Sequence, residues 1–60
     1  MQPETDLEKF KRLFREVGIE FFSRDLLSGN TELCVKEDDK CTILAVFDTL
    51  TGKYIEFEAY

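Results

Sequence analysis

The groups able to do chemistry in this 60-residue chain are two cysteines and thirteen carboxylates, and there is no histidine at all. Cys34 and Cys41 flank Glu37-Asp38-Asp39-Lys40, a polar run that reads as a hairpin loop. On a regular antiparallel ladder they fall on neighbouring strands and on one face, but diagonally, at ~7–8 Å. A disulfide needs Cα atoms within ~7 Å and converging Cβ vectors. The expectation is two free thiols acting as small apolar side chains. A disulfide is the alternative if the register or loop departs from regularity, and a redox or intersubunit role is the third. Two cysteines without histidine do not assemble the four ligands of a zinc site.

Glu37, Asp38 and Asp39 lack the spaced ligands and glycine of a calcium loop and read as a solvated hairpin tip. Glu56 and Glu58, with Glu32 beside them in the sheet, could formally serve as an acid–base pair. A domain of this size offers little concavity in which to shift their ionisation. Without histidine the commonest general base and the Ser-His and Cys-His nucleophile pairs are gone. The chemistry therefore points to a non-enzymatic protein with no cofactor and no metal.

The elements that place these groups start with a helix over about 6–17. Thr5-Asp6-Leu7-Glu8 fits a capping box, and Leu7, Phe10, Leu13, Phe14 and Val17 recur at helical spacing. Acids lead and bases follow, as the helix dipole favours. Glu8 and Arg12 are spaced as an i,i+4 ion pair. Gly18 supplies the left-handed stop. Lys9, Lys11, Arg12 and Arg15, interspersed with acids, read as a solvated helix face.

Four strands are expected after it, over about 19–24, 31–36, 41–48 and 53–59. The spans between them end in turn residues: Ser28-Gly29-Asn30, the acidic tip (or a two-residue turn at Asp38-Asp39), and Thr49-Leu50-Thr51-Gly52. Uninterrupted pairing of Lys36 with Cys41 and of Asp48 with Lys53 puts Leu33, Val35, Leu44, Val46, Ile55 and Phe57 on one side, facing the helix. The other side then carries Cys34, Cys41, Ile43, Ala45, Phe47 and Tyr54, with Phe22 from the first strand. This is an apolar centre where a solvated face is usual, and such patches mark interaction sites. The expected interface is Phe22, Cys34, Ile43, Ala45, Phe47 and Tyr54, with an acidic rim of Glu32, Glu56 and Glu58.

The fold class is thus α+β: one domain over 1–60, two-layered, with an N-terminal helix packed on an antiparallel meander of three to four strands (α-β-β-β-β). Six Phe and two Tyr provide large buried areas from few positions. Residues 1–24 hold five acids and five bases, and residues 25–60 hold eight acids and three bases, so the net charge of −5 lies on the sheet half. That balance repels nucleic acid at long range. No apolar run approaches the ~18 residues of a membrane span. The first residues lack the basic flank and apolar segment of a signal peptide, and a cytoplasmic protein is expected.

The step Gly18-Ile19-Glu20-Phe21, the pair Phe47-Asp48 and the run Gly52-Lys53-Tyr54-Ile55 resemble the punctuation of short α+β proteins encoded by phages and prophages. The resemblance implies an accessory protein that binds a host or phage protein, and it carries over no functional residues. The expected function is a protein-interaction module, self-associating as a dimer through the outer sheet face. The alternative is an acidic inhibitor or nucleic-acid mimic that binds a basic partner.

Overall fold

The computed structural model describes residues 3–60. One helix, α1 (Asp6–Glu16), precedes four strands, β1 (Phe21–Asp25), β2 (Asn30–Glu37), β3 (Lys40–Asp48) and β4 (Tyr54–Ala59). The strands form one open antiparallel sheet in the order β1-β2-β3-β4, the α-β-β-β-β layout the sequence implies. No helix among the described residues is long and apolar enough to cross a membrane.

The helix starts where its first amides find acceptors outside the helix. Thr5 Oγ1 accepts from Glu8 N at 3.2 Å, and Leu7 N donates across to the Gly52 carbonyl at 2.9 Å. The Asp6 carboxylate accepts from Tyr54 N at 3.0 Å, which ties the helix start to β4. Gly18, at φ +76°, ends the helix. Ile19 N donates to the Phe14 carbonyl at 2.8 Å and Gly18 N to that of Arg15 at 3.2 Å, the paired bonds of a Schellman motif. The expected Glu8–Arg12 pair is not the one formed. Arg12 reaches Glu4 at 2.9 Å and Glu16 at 3.3 Å instead, and its hydrogen bonds hold the Glu4 carboxyl below the usual glutamate range.

Leu7, Phe10 and Phe14 pack on the buried cluster of Leu33, Ala45 and Phe47, joined by Phe21. Leu13 and Val17, expected in the same stripe, stay exposed. Leu13 lies on the flank of the line through residues 7, 10 and 14, and Val17 is the C-cap, past the helix's last residue.

The turn between β2 and β3 has Asp38 and Asp39 at φ +53° and +63°, a two-residue type I′ connection whose twist matches the strands it joins. In the next turn, Asp48 Oδ1 accepts from Leu50 N and Thr51 N at 2.9 and 3.1 Å. Ahead of β2, Leu26 is half-buried while Leu27 is fully exposed.

Both hairpins begin pairing as expected and then slip. Lys36 pairs with Cys41, but Val35 pairs with Ile43, leaving Thr42 as an extra residue on β3. Asp48 N donates to the Lys53 carbonyl at 2.8 Å. Phe47 then pairs with Tyr54 and Val46 with Glu56, leaving Ile55 extra on β4. Each β-bulge exchanges the faces of everything beyond it. The helix side therefore carries Leu33, Val35, Ile43, Ala45, Phe47 and Phe57, while Leu44 and Val46 turn outward.

Candidate interaction surface

The expected interface is not assembled as one patch. Phe22 and Cys34 are register partners on the face away from the helix. Ile43, Ala45, Phe47 and Tyr54 lie on the helix side. Phe47 is completely buried and Ala45 is 1% exposed. The Phe47 ring centroid lies 5.1 Å from that of Phe10, and Tyr54 stacks on Phe10 at 6.1 Å. The correction has a plain cause. A run of five apolar residues, Ile43 to Phe47, supplies an apolar set in either register. The bulged register places the one ring of the run, Phe47, against Phe10.

The outer face is instead Phe22 and Arg24 on β1, Glu32 and Cys34 on β2, Leu44 and Val46 on β3, and Glu56 and Glu58 on β4. Its middle is already partly covered, because Cys34 and Val46 are 4% and 6% exposed. Phe22, at 42%, is its most open apolar side chain, and the Lys36 ammonium lies 5.3 Å over the Phe22 ring. Leu44 and Val46 were missed by sequence reading. The signal that marks them is their position opposite Glu58 and Glu56 once the bulge at Ile55 is known.

The two cysteines are joined in a disulfide with Cα atoms 5.7 Å apart, which corrects the free-thiol expectation. The bulge at Thr42 changes the stagger of the two strands and brings the diagonal pair within bridging distance. The bridge fastens the β2–β3 hairpin beside the outer face.

The three glutamates of the expected rim, Glu32, Glu56 and Glu58, share the outer face but are engaged differently. Arg24 engages the Glu32 carboxylate through a hydrogen-bonded ion pair. Glu58 accepts a hydrogen bond from the Tyr60 hydroxyl at 2.8 Å. That bond, partial desolvation, and the charges of Glu58, Glu32 and Glu56 raise the Tyr60 phenol above its ordinary value. Glu56 and Glu58 thus form an acidic strip along β4, while Arg24 and Lys36 make the β1 side of the same face basic.

A shallow groove lined by Ile19, Glu20, Phe21, Phe22 and Lys36 runs beside β1. A second lies along the helix among Glu4, Glu8, Lys11, Arg12, Arg15 and Glu16. Neither contains one of the carboxylates considered above as an acid–base pair. Among the described residues, no three Cys, Asp or Glu side chains come together as a metal site. Compared with protein-family models, curated proteins and solved structures, the chain finds no match in any of the three.

Proposed function

We propose that this chain is a non-enzymatic protein-interaction module that associates with a second copy of itself. The observation that carries this reading is how little the fold buries. Among the described residues, Leu33, Cys34, Ala45, Val46 and Phe47 are the buried hydrophobic side chains, while Leu13, Val17, Phe22, Ile55, Phe57 and Tyr60 are between 42% and 74% exposed. A core this small rarely supplies more than ~3–5 kcal/mol, and domains of this size commonly add a disulfide or a partner subunit. The Cys34–Cys41 bridge is one such addition, and a second copy is the other. Sedimentation equilibrium over a wide concentration range tests the reading. The expected result is a dimer that dissociates on dilution; a well-folded monomer at every concentration overturns it.

A second reading, an acidic inhibitor or nucleic-acid mimic, draws support from the Glu56–Glu58 strip on β4. It expects binding to a polylysine probe that weakens steeply with salt and that is reduced in the Glu56→Gln, Glu58→Gln double variant. Binding unaffected by salt or by that variant excludes it.

A further inference from the structure

We infer that β1 is the edge through which two copies join: their β1 strands pair antiparallel about a two-fold axis at Ser23, and the two sheets become one of eight strands. This rests on the self-association proposed above and adds to it the surface and the register.

The sheet has two free edges, β1 and β4, and the hydrogen-bond pattern shows which backbone groups each edge offers. Lys36 N donates to the Glu20 carbonyl at 3.1 Å, and Leu26 N to that of Asn30 at 2.7 Å. In an antiparallel ladder the bonded residues alternate. Glu20, Phe22, Arg24 and Leu26 therefore turn their backbone groups toward β2. Phe21, Ser23 and Asp25 point theirs outward, with no strand beside them among the described residues.

A two-fold axis at Ser23 sets Ser23 against Ser23 of the second copy, and Phe21 against Asp25, all through these outward groups. Phe22 then lies opposite Arg24 of the second copy, twice, in the closer-spaced non-bonded positions. Lys36 already lies over the Phe22 ring and Glu32 already pairs with the Arg24 guanidinium, but with Phe22 42% exposed and the Arg24 side chain 65% each keeps open surface for a cation–π pair across the seam. On the helix side, the Arg15 guanidinium lies 5.8 Å over the Phe21 ring. Asp25 of the second copy, arriving opposite Phe21, brings its carboxylate toward that cation. A register centred on Phe22 would pair Arg24 with Glu20 but carry Asp25 beyond the strand, opposite Ile19. The Ser23 register uses all five residues of β1.

The β4 edge repels its own copy. Tyr60 N donates to the Thr42 carbonyl at 2.7 Å, so Glu58 and Glu56 bond inward to β3 and Phe57 faces out. An antiparallel two-fold centred on Phe57 opposes Glu56 to Glu58. One centred on Glu56 or Glu58 opposes that glutamate to itself. Like charges directly across a ladder are destabilising, and exposed edges are commonly protected in this way.

The test is sedimentation velocity on the whole chain with Ser23→Pro, joined to amide hydrogen exchange on the wild type. Ser23 N–H points away from β2, so proline removes a bond at the free edge and leaves the β1–β2 ladder intact. The expected result is dimerisation weakened at least tenfold in a variant with wild-type far-UV circular dichroism. In the wild type, the amides of Phe21, Ser23 and Asp25 should exchange more slowly in the dimer than on dilution. If Ser23→Pro fails to fold, the exchange pattern decides. A dimer that Ser23→Pro does not weaken, or whose formation leaves those three amides fast, overturns the β1 contact while self-association stands. Growth beyond the dimer overturns the two-fold in favour of head-to-tail β1–β4 pairing. A wild type that is monomeric throughout removes both proposals.

Discussion

Gly52 meets two constraints at one position. Its φ of +71° lies in the left-handed region, and a Cβ added there would come within 2.6 Å of the Thr5 Cβ and 2.7 Å of its Oγ1. Its carbonyl also accepts the Leu7 amide at the helix start. Gly29, at φ +92°, has nothing within 4 Å of such a Cβ. Gly29→Ala should therefore cost only the backbone term, about 1–2 kcal/mol. Gly52→Ala adds crowding worth a further ~1–3 kcal/mol. Urea unfolding midpoints of the two variants check the difference, and equal midpoints would contradict the docking of the helix start on this turn. Tyr60 offers a second check. A group whose pKa is raised by folding contributes stability below its unfolded value and loses it as pH climbs through the folded one. Absorbance titration in a Tyr54→Phe background should place Tyr60 above the ordinary value of about 10, and Glu58→Gln should bring it back down. Of these features, the sequence marked Gly52 as the residue that ends the turn. The Thr5 contact joins positions far apart in the chain and exists only after folding.

At the scale of elements, the helix and its ends were legible because their signals are local. Thr5 lies three residues before the amide it accepts from, and Gly18 stops the helix by its own backbone freedom. The hairpins were legible as hairpins, since the Asp38-Asp39 tip and the Asp48–Gly52 turn announce themselves in composition. Their faces were not. In β3, apolar residues fill both sides of the strand from Ile43 to Phe47, so alternation could not choose between registers. The bulges at Thr42 and Ile55 chose, and with them went both the expected interface and the separation of the cysteines. The disulfide now closes the bulged hairpin. Replacing both cysteines in Cys34→Ser, Cys41→Ser should lower stability by about 2 kcal/mol, as loop-closure entropy gives for a loop this short. Guanidinium unfolding measures the loss, and unchanged stability would mean that the strands hold this register without the bridge.

For the whole molecule, the proposed association rests on a small core, one bridged hairpin and two unequal edges. If a second copy binds the folded chain, the melting temperature must rise with protein concentration by mass action. Thermal melts across a hundredfold concentration range should show that rise in the wild type and lose it in Ser23→Pro. A concentration-independent melting temperature in the wild type would contradict the dimer. By itself, the sequence determined that there would be one helix and a four-stranded meander in this order, because helical periodicity, caps and turns act over a few residues. The tertiary structure alone decided which face of β3 meets the helix and that Cys34 reaches Cys41. Those outcomes go with two single-residue slips, at Thr42 and Ile55, and the slipped register is the one in which Phe47 meets Phe10 and Tyr54 across the core, contacts between residues far apart in the chain.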